Sequence, residues 1–288
     1  MKLRIVIALL LFVEAGCIST KRVVPAELRP LPARTVSRED LLSGLEERSR
    51  QIRTLQATVA LDASGGAMTT GVLTEYRQTK GFVLVERPSH IRLKAQAPLA
   101  LATVFDMVSD GLQYRVSVPI KNKFIIGSAN TPGKEKNPIL NLRPQHIVNA
   151  LFVDIAPYTT NTQVRSILEE ATEGRRSYYV FSFINIAERA AQLIEKLWID
   201  RFDLQVIRKQ IFGKDGKVDT DVEYSAYQRH GDIAFPSVVF IQRPTDDYAL
   251  KMTFLKTSVN EKLPADAFNL ERPQGAELVQ QAESSGPN

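Results

Sequence analysis

The side chains able to do covalent or metal chemistry are few in this 288-residue chain and badly placed for it. His90, His146 and His230 lie far apart, with no H-x-x-x-H or Cys/His spacing that would gather metal ligands. No G-x-S-x-G elbow offers an activated serine. Between Gly127 and Gly133 five residues intervene where a phosphate-cradling loop needs four, and Glu135 stands where Ser or Thr would meet magnesium. The carboxylate pairs Asp219 with Asp221, Glu169 with Glu170 and Asp246 with Asp247 suit polar strand faces and turns. The sequence therefore predicts no enzyme, no cofactor and no structural metal. The one remaining reactive group is the thiol of Cys17, the single cysteine.

Cys17 follows a basic start (Lys2, Arg4), the apolar run Ile5 to Val13, and the small residues Ala15 and Gly16, which is the layout of an export signal with its cleavage point. Nine helical residues rise only about 14 Å, against about 30 Å of hydrocarbon, so the run is an address and not a span. The segment from Val13 to Cys17 resembles the bacterial lipobox, which implies cleavage after residue 16 and acylation of Cys17; Glu14 departs from that pattern, where an apolar residue is usual. The alternative is an ordinary secreted protein with a buried or trimmed cysteine. A lone cysteine forbids an intrachain disulfide, so stability rests on the core. Losing residues 1–16 takes the net charge from +5 to +4, spread without a basic run, which argues against nucleic acid as a partner.

Residues 17–36 carry Pro25, Pro30 and Pro32 without apolar periodicity and read as a flexible tether. Residues 273–288, rich in Gln, Glu, Ser and Gly, read as a disordered tail. The folded unit between them, 37–272, opens with a helix. Ser37 and Asp40 form a capping box, and Leu41, Leu42, Leu45, Ile52 and Leu55 recur near helical spacing. The period then becomes two, as in Ile91, Leu93, Ala95 and Ala97 or Leu112, Tyr114, Val116 and Val118. Further strands are expected near 57–64, 68–78, 81–87, 101–109 and 122–127, then 177–185, 194–202, 204–213, 217–228, 235–243 and 248–259. An interrupted helix is expected over 137–152 with Pro144 near its start. Asp215-Gly216 suits a type I′ hairpin turn; Pro236 is expected to begin a strand and Pro244 to end one. So many antiparallel strands and so few helices predict a large curled sheet.

The run Leu197-Trp198-Ile199-Asp200, with Ile207 to Phe212, Asp215-Gly216, Tyr224, Phe235-Pro236 and Asn260 to Phe268, resembles the LolA/LolB lipoprotein-carrier superfamily over most of the folded chain. The resemblance implies a mainly β fold with some α: an unclosed antiparallel β-barrel of about eleven strands, with the two helices as a lid over a cavity for acyl chains. Ile91 to Leu99 resembles the strand and protruding loop of the LolB-like branch, which would make Pro98 and Leu99 a membrane-insertion loop. The alternative for that loop is a turn packed on the barrel rim. The apolar strand faces would line the cavity through Val59, Leu61, Ile91, Leu93, Tyr179, Phe181, Phe183, Trp198, Phe240, Met252 and Phe254.

The function so implied is a lipid-anchored, periplasm-facing outer-membrane protein. It would accept lipoprotein acyl chains from a periplasmic carrier, acting as a monomer, and deliver lipoproteins to the outer membrane. Alternatives are a carrier of glycolipid or other lipid, and an RseB-like envelope-stress sensor module.

Overall fold

The computed structural model describes residues 32–67, 71–97, 102–129, 143–187 and 190–280. Cys17, the export signal, most of the tether, Pro98 and Leu99 lie outside the described residues. Fourteen described strands form one antiparallel-dominated sheet in the order β14-β6-β5-β4-β3-β2-β1-β13-β12-β11-β10-β9-β8-β7. The unclosed sheet with few helices has the expected architecture, with more strands than the eleven implied. Two meanders build it. The first comprises β1 (Thr54–Gly65), β2 (Thr74–Glu86), β3 (His90–Gln96), β4 (Thr103–Ser109), β5 (Gln113–Val118) and β6 (Lys123–Ser128). The second comprises β7 (Val164–Glu173), β8 (Arg176–Ala187), β9 (Ala190–Asp200), β10 (Val206–Phe212), β11 (Val218–His230), β12 (Ile233–Arg243) and β13 (Tyr248–Val259). They join where β1 pairs β13, from Leu55 opposite Val259 to Gly65 opposite Tyr248.

Among the described residues three short helices lie on the inner face: α1 (Arg38–Gln51), α2 (Pro144–Leu151) and α3 (Ala156–Thr159). Ser37 caps α1 by accepting from the Asp40 amide at 3.1 Å, which satisfies one of the orphan donors at a helix start. Leu41 and Leu45 bury against the sheet. The expected stripe runs too far, however: Ile52 is the residue that ends α1 and Leu55 already belongs to β1. Pro144 occupies the first turn of α2, where its missing N–H costs nothing. The core is the shared inner face, with Val59, Ile91, Leu93, Phe181, Leu197 and Met252 each at 0 % exposure.

Several local expectations change. One strand, β2, replaces the expected pair 68–78 and 81–87, because Gly81 does not break it. A Cβ there would stand 2.6 Å from Leu61 Cδ1, so the glycine makes room for a neighbouring side chain within a continuous strand. Gly216 has φ +77° but Asp215 is not left-handed, and the Gly216 amide bonds Gly213 O. The hairpin is therefore a three-residue loop ending in a left-handed glycine and not a two-residue type I′ turn. Pro244 ends β12 as expected, whereas Pro236 lies inside it. There β12 pairs only with β11, since pairing with β13 begins at Val238, so a missing N–H is tolerated.

The C-terminal segment is also ordered further than expected. It crosses the outer face of β3 and β4, where Arg92 bonds both Asp106 and the carbonyl of Ala267. It ends in β14 (Glu277–Gln280), paired parallel with β6, so residues 277–280 of the expected tail are a strand. This strand covers a sheet edge and buries no face, Leu278 being exposed, and the pairing satisfies main-chain groups of β6.

Candidate ligand pocket

Inward side chains of β1 to β5 and β13 surround a cavity of about 170 Å³. Leu61, Ala63, Leu93, Ala95 and Leu250 form its floor, with Val104, Phe105, Val116 and Val118 on one side. Tyr76, Ile120 and Lys121 stand at its mouth, all exposed. Lys121 is the single charged lining residue and Thr79 the single hydroxyl besides Tyr76. The cavity lies toward one rim of the sheet, the rim carrying the β1–β2, β3–β4, β5–β6 and β12–β13 connections. The registers place Gly65 opposite Thr74, Gln96 opposite Thr103 and Val118 opposite Lys123 at that rim. Ala97, which follows β3, and Ala102, which precedes β4, meet there, the Ala97 amide donating to Ala102 O at 2.8 Å.

The space is apolar because both ends of these strands carry β-branched and small residues inward while the charges of Lys94, Arg92 and Arg115 go outward. It exists because residues such as Ala63 and Ala95 are too small to fill the curl. Its volume falls below the roughly 300–1,000 Å³ of an ordinary ligand pocket.

Beneath the helices a smaller space of about 70 Å³ lies beside Leu45, Ile52, Phe152 and Phe235. The helices are moreover pinned. Lys209 Nζ donates to the carbonyls of Asn149 at 3.0 Å and Phe152 at 3.3 Å, and Tyr224 Oη donates to Ala150 O at 2.7 Å. Tyr158 Oη donates to Glu195 Oε2 at 3.0 Å, and Lys209 Nζ lies 3.5 Å from the same oxygen. Burial raises the Glu195 carboxyl, while Lys209 and Tyr158 oppose that shift by stabilising its charge. From the first meander, Arg87 reaches Asp154 at 2.6 Å. The segment 144–159 thus bridges both halves of the sheet as a strut.

Of the eleven cavity residues named from sequence, Leu61 and Leu93 line the space. Val59, Ile91, Tyr179, Phe181, Phe183, Met252 and Phe254 share the same inner face but are packed in the core away from the cavity. Trp198 and Phe240 are corrected to the outer face, because Leu197 with Ile199 and Val239 with Ile241 take the inward positions of their strands. They flank an open outer depression of about 630 Å³ that also carries Arg208, Glu223 and Lys251. Both are partly exposed aromatics, and alternation alone assigns no inside. Sequence reasoning missed Tyr76, Phe105 and Ile120. The alternation through Val116 and Val118 was the available signal for that wall.

Among the described residues no group of three or more His, Cys, Asp or Glu could hold a metal ion, and no helix is long and apolar enough to cross a membrane.

Comparison with solved structures decides the architecture. A LolA superfamily protein from Nitrosomonas europaea superposes with a TM-score of 0.50 at 12 % identity, covering 82 % of this chain and 99 % of that one. A domain assigned to outer membrane lipoprotein sorting, from Vibrio parahaemolyticus, gives 0.53 at 10 % identity over 80 % and 95 % of the two chains. The chain has a LolA-type fold. A DUF1329 family protein from Desulfovibrio piger gives 0.54 at 11 % identity over 80 % and 95 %. No family model matches the sequence, and no curated protein matches it. In this LolA-type fold the helices occupy the inner face, yet the room lies at the opposite rim.

Proposed function

We propose that this protein is a lipid-anchored carrier of the bacterial envelope, acylated at Cys17, tethered by residues 17–36, and resembling the LolB-like branch. It takes a lipoprotein acyl chain from a periplasmic donor and releases it to the outer membrane. One observation carries the proposal: the unclosed sheet holds an apolar space that opens at a rim, lined by thirteen residues of which only Lys121 is charged. Apolar walls draw a methylene chain from water at about 0.8 kcal/mol per buried CH₂, and the small volume keeps the grip weak enough for release to a bilayer. Since the strut of α2 and α3 is fixed, the chain enters between Tyr76, Ile120 and Lys121 and not under the helices. Pro98 and Leu99, which follow Ala97 in sequence, are the residues that meet the membrane.

The test is mass spectrometry of the native N-terminus together with solvent extraction of lipid from the purified full chain. An acylated Cys17 and a co-purifying acylated species support the proposal. Leu99→Asp is expected to preserve folding and impair delivery of a lipoprotein to acceptor vesicles. Absence of any bound lipid, together with no binding of a fluorescent fatty acid, overturns the carrier role.

A further inference from the structure

Among the described residues the sheet keeps one long free edge. At the other end β14 covers β6, but β7 pairs only with β8 among the described residues and offers ten residues of backbone to solvent. The hairpin register fixes which of its groups are free. Glu173 faces Arg176 across a two-residue loop, which makes the odd-numbered residues of β7 the ones bonded to β8. Gln163 fits this phase, its carbonyl accepting from the Ile186 amide, and the Val164 amide points the other way, to Asn161 O. Ser166, Leu168 and Glu170 therefore direct their main-chain N–H and C=O groups outward. On the outer face, Arg165, Ile167 and Glu169 alternate with them, and Ile167 is 49 % exposed.

We infer that β7 pairs antiparallel with the β7 of a second copy about a two-fold axis through Ile167. In that register Ser166 meets the partner copy's Leu168 in a hydrogen-bonded pair. Arg165 stands opposite the second copy's Glu169, twice by symmetry, and the two exposed Ile167 side chains meet at the axis. The neighbouring phases do not work. Centring on Glu169 sets two carboxylates face to face, and centring on Leu168 puts Ile167 against Glu169. Self-complementarity of this kind is what a two-fold interface requires of one surface, and cross-strand opposite charges favour the register as like charges oppose it. Seven residues per strand bury less than the roughly 800 Å² per partner of a durable complex. The dimer accordingly forms in a concentration-dependent way and stands against the monomer expected from sequence. It is independent of what the pocket carries.

Sedimentation velocity on the full chain in non-ionic detergent, over a wide concentration range, tests this. The wild type is expected to show a reversible monomer–dimer equilibrium. Arg165→Glu or Glu169→Arg alone should weaken it about tenfold or more, and the two together should restore it to near the wild-type value. Ile167→Cys should form an intermolecular disulfide under mild oxidation, because facing residues in a non-hydrogen-bonded pair lie about 4.5 Å apart at Cα. Leu255→Cys, still more exposed at 65 % but on a central strand, serves as control and should not. A wild type that stays monomeric throughout, a double variant no tighter than the singles, or Ile167→Cys linking no faster than the control overturns the inference. Capture of a different protein's strand by a monomeric wild type also overturns it.

Discussion

Lys209 is 4 % exposed and Glu195 1 %, so each holds the other's charge in a place water does not reach. Such a pair adds little net stability when intact, but removing one member leaves the other buried and unpaired. Lys209→Met is therefore expected to cost about 3–5 kcal/mol in urea unfolding, and Lys209→Met with Glu195→Met much less than twice that. His146 gives a pH signature of its own. Burial, then the nearby Arg243, lower its pKa from 6.5 to about 3, with Asp246 opposing and Arg143 adding to the effect. A folded pKa depressed below the unfolded one means that protons bind the unfolded chain more tightly. The contribution of His146 is thus complete above about pH 6.5 and is lost as pH falls toward 3. Relative to His146→Gln, the wild type should lose on the order of 2–4 kcal/mol across that window, measured by denaturant titrations at stepped pH. In the pocket, Val104→Trp should leave the unfolding transition in place while weakening a fluorescent fatty acid about tenfold or more.

The elements differ in how much the sequence disclosed of them. Strands with one buried face, such as β3 with Ile91, Leu93 and Ala95, announce themselves by alternation, and the cap of α1 is written in Ser37 and Asp40. Hidden strands are those that bury little. Sheet-edge β7 buries Val164 and half-buries Leu168 but has Glu169, Glu170 and Glu173 where a core strand has aliphatics, and β14, with Leu278 and Val279 between Glu277 and Gln280, is too short to show an alternation, so hydrophobic period could find neither. The site was less legible than the fold. Alternation names two faces and leaves their assignment to the curl of the whole sheet, which is why Trp198 and Phe240 were expected inside. Which small residues leave a gap is likewise a packing outcome, settled by Ala63 and Ala95 against neighbours far along the chain. The ordering of the C-terminal segment makes an element-level prediction. Truncation after Arg272 removes β14 and uncovers β6, and light scattering should register faster aggregation on gentle heating than in the full chain.

At the scale of the molecule, the meanders share a core that α2 and α3 brace from inside, while Tyr76 and Ile120 at the rim stand exposed. Stability is accordingly uneven. Hydrogen exchange should find the amides of Val148 to Phe152 among the slowest and those of residues 71–77 among the fastest; fast exchange throughout α2 would mean that the helices do open. The seam between β1 and β13 has a further effect. Every other antiparallel contact joins neighbours in the chain, whereas Leu55 must wait for Val259, synthesised some two hundred residues later. Contacts of such long range form slowly because the intervening loop entropy is lost before they reward it. A polypeptide emerging from the ribosome amino end first can build its first meander but cannot lock it, and so stays pliable until its final strands arrive.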